Sequence, residues 1–135
     1  MTRQRLWTTM AAVVLLVGPV AGRQGSALDS SQASAFMGTW VFTMTNPQGA
    51  HETVRIWDKN GIVAASVQAG RLPPIDVTGI LKDGDVLVLT LTRFENGKPD
   101  RAVISLTLQS ETMKMAQMLE FSETIKRGSG KKQVD

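Results

Sequence analysis

Cysteine and tyrosine are missing from this 135-residue chain, histidine occurs once, and three Trp and four Phe make up the aromatics. Without cysteine there is no disulfide, no thiolate metal site and no thiol nucleophile. With His51 alone, no histidine-based metal cluster forms, and nothing organises a Ser–His–Asp arrangement. The sequence therefore names no metal site, no cofactor and no catalytic residue. Twelve glycines without a period exclude a collagen, and 42% apolar residues exclude a wholly disordered chain. The length allows one domain at most. Charge of one sign is also scarce, since 15 basic and 12 acidic residues give +3.

Arg3 and Arg5 precede an unbroken apolar run, Met10 to Val17, that Gly18-Pro19 closes. Small residues follow, with Val20 and Gly22 before a cleavage point at Arg23. This three-part pattern predicts a signal peptide over 1–22 and a periplasmic or extracellular protein. A permanent anchor needs about 20 apolar residues, and Leu6 to Ala21 is short and interrupted, so no permanent membrane span is expected. Residues 23–35, rich in Ser, Ala, Gln and Gly, read as a flexible lead-in, with a short helical turn around Ser31–Met37. Residues 128–135, GSGKKQVD, read as a disordered basic tail. The domain is then 36–127, roughly 90 residues, small but above the size that needs disulfide or metal staples. Removing Arg3 and Arg5 lowers the charge from +3 to +1. The cations of the body each have an acid nearby in sequence. No basic face interleaved with aromatics is read, and nucleic acid is not an expected partner.

Turn signals punctuate the body: Asn46-Pro47-Gln48-Gly49, Asp58-Lys59-Asn60-Gly61, Asp83-Gly84-Asp85 and Glu95-Asn96-Gly97-Lys98. Asn-Gly and Asp-Gly suit tight hairpins because they accept positive φ. Between them, runs of Thr, Val, Ile and Leu alternate with period two. The expected strands are Gly38–Thr45, His51–Trp57, Ile62–Val67, Ile75–Ile80, Val86–Phe94, Ala102–Leu108, Thr112–Met118 and Glu120–Arg127. Trp40, Phe42 and Met44 share one face. So do Leu87, Leu89, Leu91 and Arg93, as do Ile104, Leu106 and Leu108. The fold class is all-β. About eight antiparallel strands in a meander bury one face and hide their edges by closing into a small barrel. A two-sheet β-sandwich uses the same alternation and stays open as the alternative.

Gly38-Thr39-Trp40 resembles the Gly-x-Trp that opens the first strand of lipocalins and related barrels. The chain is similar as well to small secreted bacterial β-barrel proteins of undefined function. The resemblance implies a binder of small apolar molecules, with Gly38 and Trp40 at the closed end and a basic residue from the last strand, Arg127 or else Lys126, packed over the indole. The body is shorter than a lipocalin and carries neither its long helix nor its disulfide.

Met44, Leu89, Leu91, Met113 and Met115 fall on inward faces and are candidates to line a ligand site, methionine adapting well to irregular apolar shapes. Arg93 and Glu123, also read as inward, are candidates for its polar anchor. Trp57 and Phe94 fall on outward faces that can meet a partner. Three functions follow. The first is a non-enzymatic secreted or periplasmic binding protein for a small apolar ligand. The second is a structural or protein-interaction β module, a second copy of the chain being one partner. The third is a small barrel hydrolase or isomerase using an inward carboxylate such as Glu123.

Overall fold

The Asn-Gly turns set the plan of the chain. Asn60 and Gly61 take φ of 54° and 89°, and Asn96 and Gly97 take 54° and 78°, the left-handed values a two-residue hairpin demands. The computed structural model describes residues 28–134. A 3-10 helix, Ser30–Phe36, leads into nine strands: β1 (Gly38–Thr45), β2 (Gln48–Lys59), β3 (Ile62–Ala69), β4 (Ile75–Asp76), β5 (Gly79–Asp83), β6 (Val86–Glu95), β7 (Lys98–Gln109), β8 (Thr112–Leu119) and β9 (Thr124–Lys132). All pair antiparallel in one sheet, in the order β4-β3-β2-β1-β9-β8-β7-β6-β5.

The sheet curls through 276° into an open half-barrel. The expected barrel-like, all-β class holds, but the sheet is not a fully closed eight-stranded barrel. Nor is it a two-sheet sandwich, because the strands form a single sheet. The gap falls where the expected fourth strand, Ile75–Ile80, divides into β4 and β5. Val77 N–H donates to Ala65 O of β3 at 2.9 Å, and Thr78 N–H donates to Thr90 O of β6 at 2.8 Å. The chain thus steps from one edge of the sheet to the other within two residues.

Inward positions carry the core. Phe42, Val54, Leu87, Leu89, Leu91, Ile104, Leu106 and Met113 are all 0% exposed. The helix closes one end. Asp29 caps it by accepting from Ser31 N–H at 3.1 Å, Ala33 and Phe36 are buried, and Trp40 Nε1 donates to Phe36 O at 2.9 Å. The lead-in is therefore packed structure from Ser30 onward, because Ala33 and Phe36 bring apolar surface to an end that no strand covers. The segment 1–22, read as a signal peptide, lies outside the described residues. No helix among the described residues is long and apolar enough to cross a membrane.

The C-terminal residues depart most from expectation. Gly128 to Lys132 are not a loose tail; they form most of β9, paired with β1 on one side and β8 on the other. Their glycines are a packing requirement. A Cβ on Gly130 would lie 2.6 Å from the Phe42 ring, and one on Gly128 would lie 2.5 Å from Met44 Sδ and 2.9 Å from Thr43 O. A bare backbone here lets two large side chains of β1 fill the interior. Gly130→Val is therefore expected to lose about 1–3 kcal/mol or more by overpacking, while Ser129→Ala on the opposite face stays within about 0.5 kcal/mol. Urea unfolding of the two variants checks this.

Candidate functional site

Away from the helix, the interior turns polar. Glu52 on β2, Arg93 on β6 and Gln117 on β8 occupy inward positions, on the same strand faces as Val54, Leu91 and Met115. They are 5%, 7% and 0% exposed. Arg93 Nη1 donates to Gln117 Oε1 at 2.6 Å and to Glu52 Oε1 at 3.2 Å, and Gln117 Nε2 donates to the same Glu52 oxygen at 3.2 Å. The three groups form a closed ring of hydrogen bonds linking strands from both halves of the sheet.

Asp100, on β7 at the same end, is 4% exposed. Its Oδ1 accepts from Phe121 N–H at 2.7 Å and its Oδ2 from Ser122 N–H at 3.2 Å. Burial pushes its pKa up, but the hydrogen bonds from Phe121 and Ser122 prevail and hold the carboxyl below its ordinary value. Asp100 thereby ties down the turn between β8 and β9.

That turn corrects the reading of Glu123. The residues around 120–123 form a turn rather than the start of a strand, and Glu123 has φ 57° and is exposed. The strand begins at Thr124, so the expected inward face of Phe121, Glu123, Ile125 and Arg127 is in fact outward or in the turn. Arg93 is inward as expected, but its carboxylate partner is Glu52, not Glu123. Arg127 also stands elsewhere than the lipocalin resemblance implied. It is exposed and in register with Ala116, whereas the residue in register with Trp40 is Lys132. Gly38 leaves room for that lysine, since a Cβ there would lie 2.5 Å from Lys132 Cε. Trp40 and Lys132 line a cavity of about 660 Å³ at the helix end, with Leu108, Glu111 and Lys131.

Met44, Leu89, Leu91, Met113 and Met115 are brought together in the interior as expected. They are 2% exposed or less. They belong to one buried apolar cluster. Glu52 and Gln117 are the residues that the sequence reading passed over. Their signal was the alternation itself, because each continues the inward series of an apolar strand.

Outside, Phe94 is 66% exposed and Trp57 is half-buried, with the Arg55 guanidinium 5.2 Å from its ring centroid. His51 is exposed on β2, in register with Thr43. No group of three or more His, Asp or Glu among the described residues is placed to hold a metal. No protein-family model, curated protein or solved structure matches the chain.

Two outcomes follow. Removing one member of the polar ring, as in Arg93→Met or Gln117→Leu, is expected to cost about 3–5 kcal/mol by stranding buried partners, whereas the triple replacement Glu52→Leu/Arg93→Met/Gln117→Leu recovers most of that loss. Denaturant unfolding of the series measures both. For Asp100, a folded pKa below the unfolded one adds stability that is present above the unfolded value and lost as pH falls through the folded one. Asp100→Asn is thus expected to lower stability at neutral pH and to flatten the acid limb below about pH 4, read from urea midpoints across pH.

Proposed function

We propose that this protein is a non-enzymatic interaction module that binds a protein partner through its outer surface rather than a ligand within its interior. The observation that carries this reading is a row of exposed apolar residues around the end away from the helix. Val103, Met118 and Ile125 are cross-strand neighbours on β7, β8 and β9, and Met118 and Ile125 are 47% and 49% exposed. Beyond them lie Phe94, in register with Pro99, and Phe121, whose N–H is held by Asp100 next to that proline. Phe94 and Phe121 are 66% and 77% exposed. Single exposed apolar residues are ordinary, but several on adjacent strands, with two aromatic tips, have the composition of a binding surface. A groove of about 240 Å³ lined by Val103, Ala116, Met118, Ile125 and Arg127 runs through it.

The burial of the five apolar candidates supports the same choice. Arg101 and Glu120, paired at 3.6 Å and exposed, sit within the row as a polar mark that a partner can read. The amino-terminal pattern from Arg3 to Gly22 adds that the module works after export, outside the cytoplasm.

A photo-crosslinking residue at position 121, in the cell that makes the protein, tests the reading. A discrete adduct with one protein species, a second copy included, is expected, and it should disappear with Phe94→Ser/Met118→Ser. The same adducts from a crosslinker at Gln68, across the sheet, or a small molecule retained in native mass spectra of the purified protein, would overturn it.

A further inference from the structure

Strand alternation sorts charge as well as polarity. On the adjacent strands β1, β9, β8 and β7 the outward positions are Thr39, Val41, Thr43 and Thr45; Ile125, Arg127, Ser129 and Lys131; Thr112, Lys114, Ala116 and Met118; and Arg101, Val103, Ser105, Thr107 and Gln109. None is a carboxylate. The acids that stand near the cations in sequence are turned inward, as Glu52 and Asp100 are, or stand in turns, as Glu111, Glu120 and Glu123 do. Arg101 is paired with Glu120, but Lys114, Arg127 and Lys131 form no salt bridge with any described residue.

These three cations stand at neighbouring outward positions of two adjacent strands. Lys114 is in register with Ser129 of β9, and Ser129 is in register with Thr43 of β1 on its other side. Arg127 and Lys131 lie two residues to either side of Ser129. At about 3.3 Å of rise per residue and about 4.8 Å between strands, each stands about 8 Å diagonally from Lys114, a spacing at which three long side chains can meet one anion above Ser129. Like charges at such spacing repel unless an anion lies between them. The backbone is open there. A cavity of about 340 Å³ is lined by Thr43, Thr45, Ser105, Thr107, Lys114 and Arg127 among others. A second, of about 380 Å³, shares Thr43 and Ser129 with it and reaches Thr112 and Lys131.

We infer that this trough binds the phosphate groups of a phosphorylated polyol or sugar. Arg127 offers a planar fork for a tetrahedral oxyanion, and the two lysines supply point charges. The row of Ser and Thr hydroxyls suits the neutral hydroxyls of such a ligand. No Trp, Phe, Tyr or His stands at an outward position of these four strands, so the face has no stacking platform for the bases of single-stranded nucleic acid. The site rests on charge and hydroxyl placement; it shares Arg127 with the groove of the apolar row, while Lys114 and Lys131 lie outside that groove.

Titration of the isotope-labelled protein with myo-inositol hexakisphosphate at low salt, read by amide NMR, tests the inference. Saturable shifts are expected at Thr43, Lys114, Arg127, Ser129 and Lys131, weakening as salt is raised. The exposed substitutions Lys114→Gln and Arg127→Gln should each weaken binding about tenfold, the loss of one charge-assisted contact, while Lys59→Gln on β2 leaves it unchanged. Circular dichroism confirms that the variants fold. Shifts spread over all exposed lysines, affinity unchanged in the Lys114→Gln/Arg127→Gln double variant, or tighter binding to an oligonucleotide or to vesicles of anionic lipid than to the inositol phosphate would each overturn the inference.

Discussion

The bare backbone of β9 lying against Phe42 and Met44 is the contact on which the architecture turns. The sheet consists of two meanders, β1 to β4 and β5 to β9, and among the described residues their shared ladder is β1 with β9. Alternation demands inward side chains at 128 and 130, yet Phe42 and Met44 already fill that space from the neighbouring strand. Glycine at both positions resolves the conflict. The cost in chain entropy of two glycines within a strand is offset by two large side chains buried where the halves meet. Had residues with side chains stood there, either the strand would move away from β1 or the large residues would leave the core.

The polar ring works across the same division. Glu52 belongs to the first meander, and Arg93 and Gln117 to the second. Buried ion pairs add little net stability against an apolar alternative, since desolvation opposes their attraction. What this one adds is alignment. A one-residue slip at the β1–β9 junction would reverse which face of one meander looks inward and would carry an ionised group away from its partners. An all-apolar interior would tolerate that slip more readily.

Most of the fold was legible because hairpin turns and period-two alternation are local signals. The limits of β1 came directly from Gly38 to Thr45, and the inward direction of Leu87 through Arg93 followed from counting by twos. The same count, carried past Val54 to Glu52 and past Met115 to Gln117, held the polar ring, but an isolated acid or amide does not announce its partner from across a barrel. Two places resisted for a different reason. Composition makes GSGKK look like a linker, because the need for glycine there arises from Phe42, far away in sequence. Residues 120–123 continue an apparent alternation, yet Asp100 holds them as a turn through backbone bonds that no pattern of side chains reveals. The charge-sorted face also came from long-range structure: Lys114 has Glu111 three residues away along the chain, but its partners in register are Thr107 and Ser129.

The crossing at Val77 and Thr78 bears on how copies of this protein behave together. An incomplete barrel ordinarily offers two strand edges as templates for polymerisation. Here β3 is covered by Leu28 and Asp29 at one end and by β4 and Val77 further along. Pro73-Pro74 precedes β4 and cannot donate to an incoming strand. At the other edge, β5 is five residues long and ends in Lys82 and Asp83. By sending one short segment over both margins, the chain withholds the backbone on which fibrils grow, so the molecule can leave its barrel unclosed and still resist end-on stacking into aggregates.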